Sequence, residues 1–223
     1  MHQPLLHRTA LVVGGTAGIG KKLAALLASC GASVTVTGRN KPGTSTDGTT
    51  FFPLEIDDSL QCLKNSKFMQ LLLKTDVLCV CYGPFVQKPL HTTTSAEWLT
   101  LSVHDYALPG SLVSAVLPEM TKRGWGRIVL FGGTRTESIR ACKTTAAYSG
   151  AKTGVAVIAK SVAACYAPHG ITCNVVLPGF TRNPAEGAQV VSEQIVAQEA
   201  LHLLLNPHIN GTLLTVDSGW NPS

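Results

Sequence analysis

The stretch Thr9-Ala10-Leu11-Val12-Val13-Gly14-Gly15-Thr16-Ala17-Gly18-Ile19-Gly20 decides how this chain folds. Its first five residues form a short apolar run of the length that a buried parallel strand needs. The run ends directly in a turn that carries Gly14, Gly15, Gly18 and Gly20. From Lys21 to Cys30 apolar residues recur at helical spacing, with Leu23, Leu26 and Leu27 on the inward side, and Gly31 is placed as a helix stop. Ser33 to Thr37 is a second strand, which ends at Gly38-Arg39. Strand, glycine turn, helix and strand make one βαβ unit of about thirty residues, the size of a dinucleotide-binding unit. The glycines have a physical purpose in such a unit. The chain must turn sharply, bring backbone N–H groups close to a pyrophosphate, and start a helix whose positive end faces the phosphates. The spacing here is Gly14-x-x-x-Gly18-x-Gly20 rather than Gly-x-Gly-x-x-Gly. The competing reading, a strand-to-helix turn that binds nothing, is weakened by the strand before it and the helix after it.

The end of the second strand separates two cofactors. Sites for NAD place an acidic residue there to hold the ribose 2′-OH, whereas a basic residue accommodates a 2′-phosphate. Thr37-Gly38-Arg39 contains no carboxylate, so NADP(H) is the expected cofactor, with Arg39 as the phosphate partner. An exposed arginine opening a loop is the plainer alternative.

Working outward, Asn40 to Thr50 reads as a polar loop and Phe51 to Leu54 as a third strand. Ser59 is a candidate N-cap for a helix reaching about Leu73. Asp76 to Cys81 is a fourth strand, closing at Tyr82-Gly83-Pro84. A long helix is expected from Ser95, as its cap, to Met120, bent or interrupted at Pro109 and Pro118. Arg127 to Phe131 is the fifth strand and ends in Gly132-Gly133; a helix bearing Tyr148 and Lys152 then runs to about Tyr166. Thr172 to Leu177 is the sixth strand, Ser192 to Leu205 a last helix, and Thr212 to Val216 a last strand. The alternation predicts an α/β fold, a three-layer Rossmann-type doubly wound parallel sheet of about seven strands flanked by helices. No linker or repeat divides it, so residues 1–223 are expected to form a single dinucleotide-binding domain.

Composition limits the functions available. Apolar residues make up 45% of the 223 and charged residues 14%, a composition for a buried core rather than for disorder. The longest apolar runs, such as Val155 to Ala159, are too short to cross a bilayer. Residues 1–8 lack a basic segment followed by an apolar one, so a cytoplasmic location without a signal peptide is expected. The net charge of +5 is scattered, with Lys21-Lys22 and Lys122-Arg123 the only basic doublets, which argues against nucleic acid and for a small anionic ligand. The seven cysteines show no zinc spacing and read as reduced core residues; the seven histidines share no motif, and surface or capping roles are expected for each.

Tyr148 and Lys152 are four residues apart on one helix, so both side chains reach one small volume. A free tyrosine titrates near pH ~10, and a neighbouring ammonium favours its phenolate, which moves it toward acid–base work at neutral pH. The spacing alone occurs by chance in many helices. Combined with the glycine turn, with Leu177-Pro178-Gly179-Phe180-Thr181 and with Val216-Asp217-Ser218-Gly219, it resembles the short-chain dehydrogenase/reductase family. The order and spacing hold from about residue 8 to 220, and the nearest flavour is the 3-oxoacyl-acyl-carrier-protein reductase type, which uses NADPH.

The resemblance implies roles. Tyr148 gives a proton to a substrate carbonyl as hydride leaves the nicotinamide, and Lys152 holds the nicotinamide ribose and lowers the tyrosine pKa. Gly14, Gly15, Thr16, Ala17, Gly18, Ile19 and Gly20 line the phosphates and adenosine ribose. Glu55-Ile56 stands beside the adenine, Gly83 belongs to the cofactor cleft, and Pro178, Gly179 and Thr181 meet the nicotinamide end. Three departures accompany it. The family's Asn-Asn-Ala-Gly is Val80-Cys81-Tyr82-Gly83 here. Its helix asparagine, which holds a relay water, aligns with Asp105. Its catalytic serine aligns with Gly133, for which the Thr134 hydroxyl is the first substitute and Thr136 or Ser138 weaker ones. The loop from Thr181 to Ser192 is also short for a substrate lid, and Arg135 and Arg140 beside the cleft suit an anionic substrate or are merely exposed. The expected function is NADPH-dependent reduction of a ketone or 3-oxoacyl-type carbonyl, small or carrier-linked, by a homotetramer or homodimer. The alternative is a related protein that binds NADP(H) as a sensor or scaffold without turnover.

Overall fold

Central strands this apolar have no face to spare for water, and parallel packing between two helical layers is the arrangement that hides both. In the computed structural model β1 (Thr9–Val13), β2 (Ser33–Gly38), β3 (Thr49–Pro53), β4 (Val77–Val80), β5 (Gly126–Phe131), β6 (Ile171–Pro178) and β7 (Leu213–Val216) form one sheet. Its order is β3-β2-β1-β4-β5-β6-β7, with every neighbouring pair parallel. The structure describes residues 3–41, 48–184 and 187–220. Most of the expected polar loop (42–47) and part of the short loop after Thr181 (185–186) lie outside the described residues.

Alternate residues of each strand feed alternate cores. Ala10 and Val12 face α1 (Gly18–Ser29) and α6 (Glu193–Leu205), while Leu11 and Val13 face α2 (Ser66–Leu73), α4 (Leu108–Arg123) and α5 (Ala146–Tyr166). Each fully buried aliphatic side chain contributes roughly 1.5–3 kcal/mol, so the two cores hold the layers together. Strand order reverses between β1 and β4, which opens a crevice at their C-terminal ends, where ligands of such sheets lie. Among the described residues no helix is long and apolar enough to cross a membrane.

Two caps differ from expectation. Ser59 caps no helix; its hydroxyl donates to Asp57, and α2 starts later because Asn65 accepts from the Lys67 and Phe68 N–H groups. Thr94 rather than Ser95 caps α3 (Ser95–Ser102), in a capping box with Glu97. The long helix expected from Ser95 to Met120 is in fact α3, a π-helical turn at Val103–Ala107, and α4. Pro109 has no N–H to return to Asp105, so the α-ladder lapses there, and the Leu108 N–H reaches back to Val103 instead. Pro118 lies inside α4 without ending it.

Candidate active site

The glycine turn leaves β1 with Gly14 at φ +79°, and the Gly15 N–H donates to the Thr37 carbonyl at 3.2 Å, which ties the turn to β2. A Cβ on Gly20 would stand 2.3 Å from the Gly14 carbonyl oxygen, so only glycine lets α1 start this close to the turn. Ala17 is extended at the helix start and has no side chain able to cap it. The first-turn N–H groups of α1, with no acidic residue beside them in that turn, are therefore left for an anion. Thr16 packs against Gly38, and Arg39 is exposed just past β2. Glu55 is exposed and Ile56 half-buried past β3, across the same crevice. The Glu193 carboxylate stands about 3.6 Å from where a Gly18 Cβ would be, and Arg182 pairs with it at 2.9 Å. The uncapped first-turn N–H donors of α1 fit the pyrophosphate of a dinucleotide.

Across the sheet, the first turns of α5 place Tyr148 and Lys152 together, as their spacing requires. The partners of the lysine come from far away in sequence. Its Nζ donates to the Phe131 carbonyl at 3.0 Å and lies 2.9 Å from Asp105 Oδ1. Asp105 is fully buried in the π turn, and neither of its oxygens receives a well-directed hydrogen bond. Gly83 makes room for the pair: a Cβ there would stand 2.0 Å from Asp105 Oδ1 and 3.0 Å from Lys152 Nζ. Burial pushes the Asp105 carboxyl above its ordinary value, against the pull of Lys152.

The phenol behaves differently from expectation. Tyr148 is pushed well above the usual tyrosine range, first by burial of its hydroxyl and then by the charge of Asp105. The expected lowering by Lys152 is absent because the ammonium faces Asp105 and stands 5.9 Å from the Tyr148 ring centre. The phenol here is a held proton, a donor rather than a ready base. Phe85, 54% exposed, meets the Tyr148 ring edge-on at 4.8 Å and walls the open side.

This pairing on this sheet has relatives. The family model for short chain dehydrogenases matches residues 8–194. The chain belongs to the short-chain dehydrogenase family. D-beta-hydroxybutyrate dehydrogenase of Rhizobium meliloti (strain 1021) is 26% identical across 96% of this chain and 98% of its own length. The 3-oxoacyl-acyl-carrier-protein reductase of Haemophilus influenzae is 31% identical across 78% of this chain and 74% of its own length. A solved short chain dehydrogenase/reductase family protein superposes with a TM-score of 0.87 at 27% identity, over 97% of this chain and 98% of its own. Members are oxidoreductases of hydroxyl and carbonyl groups that use a nicotinamide cofactor.

Within this short-chain dehydrogenase the serine position is closed rather than refilled. A Cβ on Gly133 would stand 2.7 Å from the Tyr148 hydroxyl, so the phenol rests in the space a serine side chain would take. The Thr134 hydroxyl, first choice as substitute, donates to Asp217 Oδ2 at 2.5 Å and braces the end of β7 instead. Thr136 is buried and its hydroxyl donates to the Gly133 carbonyl at 2.8 Å, closing the turn. Ser138 accepts from Arg140, which also pairs with Glu137. Pro178 and Gly179 end β6 on this side of the sheet; Pro178 accepts from the Thr134 N–H, and Thr181 follows half-buried.

Sequence reasoning missed four residues around the cleft, Asp58, Tyr82, Phe85 and His104. Phe85 gave no signal, because a lone aromatic after a Gly-Pro turn marks nothing. His104, expected at the surface or in a cap, is buried with Nδ1 2.8 Å from the Tyr82 hydroxyl and Nε2 2.9 Å from Asp58 Oδ1. No local pattern links residues 58, 82 and 104. The cysteines are all free, as expected, although Cys165 is exposed rather than in the core. No metal-binding cluster occurs among the described residues.

Proposed function

We propose that this chain is an NADPH-dependent reductase of a ketone or 3-oxoacyl-type carbonyl, its whole length serving as one dinucleotide-binding domain. The observation that carries this reading is the buried Lys152–Asp105 pair beside a phenol held in its protonated form. A bound nicotinamide supplies the hydride. Tyr148 supplies the proton, donating from its hydroxyl to the carbonyl oxygen as negative charge develops there. Lys152 spends one N–H donor on the Phe131 carbonyl and pairs by charge with Asp105, which leaves a donor for a ribose hydroxyl. Asp105 anchors the ammonium and keeps the phenol from ionising early. Gly14 through Gly20 cradle the pyrophosphate on the start of α1, and Arg39 meets the 2′-phosphate. Glu55 and Ile56 border the adenine, and Pro178, Gly179 and Thr181 border the nicotinamide. Two of its relatives are named for β-hydroxybutyrate and 3-oxoacyl substrates, which supports a carbonyl in the β position to a carboxyl or thioester. Trp98, Leu99, Tyr106 and Val157, all exposed along α3, the π turn and α5, support assembly into a homodimer or homotetramer.

A second reading, a dinucleotide-binding sensor without turnover, is favoured by Gly133, which has no hydroxyl to steady the carbonyl. Loss of one such donor costs about 10²–10³ in rate, which slows catalysis without abolishing it. The test is NADPH oxidation against a panel of ketones and 3-oxoacyl thioesters. Turnover supports the reductase, and tight NADPH binding with no turnover across the panel supports the sensor. In the same titration NADP(H) is expected to bind more tightly than NAD(H), with Arg39→Glu reversing the order. Tighter NAD(H) binding by the wild type would remove Arg39 from the site.

A further inference from the structure

Three residues from three separate segments meet at the crevice between β1 and β4 without entering the proton-transfer site. Asp58 lies in the connection after β3, Tyr82 directly after β4, and His104 in the π turn. His104 is 6% exposed, and both its ring nitrogens are engaged, Nδ1 with the Tyr82 hydroxyl at 2.8 Å and Nε2 with Asp58 at 2.9 Å. A neutral imidazole satisfies both: Nε2–H donates to the carboxylate, and Nδ1 accepts from the phenol. Asp58 is held in turn by the Thr100 hydroxyl at 3.0 Å. The chain of bonds ends on the Tyr82 hydroxyl, which it ties to the π turn.

Tyr82 borders the glycine turn. A Cβ on Gly14 would stand 3.0 Å from both the Tyr82 Cβ and its backbone N, so Tyr82 forms the far side of the turn. Its ring packs on the same core as Ile56 and Leu60, and its phenol, raised by burial, feels an opposing pull from Arg39. Tyr82 thus borders Gly14, within electrostatic reach of Arg39. With the pyrophosphate on the start of α1 and the ribose at the end of β2, the adenosine half of a dinucleotide occupies this part of the crevice. An aromatic ring held rigid at one end offers a flat apolar wall to a nucleoside at little entropic cost.

We propose that Tyr82, set in place by His104 and Asp58, is the wall against which the adenosine half of the dinucleotide seats, with His104 as its positioning residue. This inference rests on the dinucleotide reading given above. The experiment is a binding titration of NADPH and of the adenosine fragments 2′,5′-ADP and 5′-AMP to wild type, His104→Ala, His104→Gln and Tyr82→Ala, together with KM and kcat for NADPH. Glutamine can accept from Tyr82 and donate to Asp58, so it restores the anchor without an imidazole. Tyr82→Ala is expected to weaken NADPH and the fragments about 10–100-fold, within the range for loss of a base-stacking aromatic. His104→Ala is expected to weaken them about tenfold, the loss falling mainly on KM, and His104→Gln to recover most of it. Unchanged fragment binding in Tyr82→Ala, or a His104→Ala loss that folded His104→Gln does not recover, would overturn the proposal. Should His104→Ala fail to fold, Tyr82→Ala decides alone. A wild type that binds neither NADPH nor any fragment would take down the dinucleotide reading and this inference with it; fragment-tight wild type with indifferent variants would take down this inference only.

Discussion

The two ends of this sheet carry buried charge in opposite ways. At the N-terminal ends of the strands, Asp76 accepts from the Thr9 N–H at 3.0 Å and faces Arg123 Nε at 3.1 Å. Arg123 spends its remaining nitrogens on the Leu73 and Thr75 carbonyls. Arg127 donates to the Gly126 and Gly170 carbonyls, both at 2.8 Å, and stacks on Trp125. Every one of these groups is matched. At the C-terminal ends, Asp105 is buried with no well-directed hydrogen bond, Lys152 keeps a donor in reserve, and α1 starts without a cap. Buried polar groups are normally satisfied, because an unmade bond costs the full desolvation of the group. The matched end therefore reads as stability and the unmatched end as readiness for a ligand.

Substitutions can break that contrast, and the largest effect is expected at the unmatched end. Tyr148→Phe removes only a hydroxyl and should lower carbonyl reduction by about 10²–10⁴-fold, the usual contribution of a positioned acid, with thermal unfolding unchanged. Turnover surviving that change would remove Tyr148 from the chemistry. Gly133→Ala adds one methyl 2.7 Å from the phenol, whose ring already meets Phe85 edge-on. Displacing the donor by about an ångström should cost roughly 10²-fold in kcat. A wild-type rate would show that the phenol yields freely and that the serine position is not closed.

At the matched end the sign reverses. Asp76→Ala leaves the Thr9 N–H and Arg123 without their acceptor, and denaturant unfolding should show a loss of about 1–3 kcal/mol. Activity per folded molecule should stay at the wild-type level. A collapse in kcat with stability intact would erase the distinction between the two ends. The finest test is Asp105→Asn. The buried charge of Asp105 holds the Tyr148 phenol up, so its removal lets the phenol ionise at lower pH. In alcohol oxidation, where the phenolate is the active form, the limb that rises with pH should move to lower pH. In carbonyl reduction, where the phenol is active, the falling limb should move the same way. A limb that stays in place would mean the phenol does not feel Asp105.

Much of this was legible in the chain because it is local. An apolar run, a glycine turn and an apolar helix signal their order by spacing alone, and so do Tyr148 and Lys152, one turn apart. The helix caps were harder, because Ser59 and Asn65 are equally good cap types and only the backbone decides between them. The π turn was hidden: Pro109 announces an interruption, not that the interruption points His104 at Tyr82 and Asp105 at Lys152. The missing serine was visible as Gly133. What takes its space was not, since Thr134 had the right chemistry and was drawn to Asp217, a residue 83 positions away.

By itself, then, the sequence determined the alternation of strands and helices, the anion-ready start of α1, and the shared face of Tyr148 and Lys152. Backbone geometry and side-chain periodicity suffice for these, and both act over a few residues. Only the tertiary structure decided that Lys152 turns to Asp105, that the phenol rises instead of falling, and that Tyr82 is pinned through a buried histidine. Charge pairing and desolvation depend on which segments the packed layers bring within about 3 Å, and the distance along the chain does not set that.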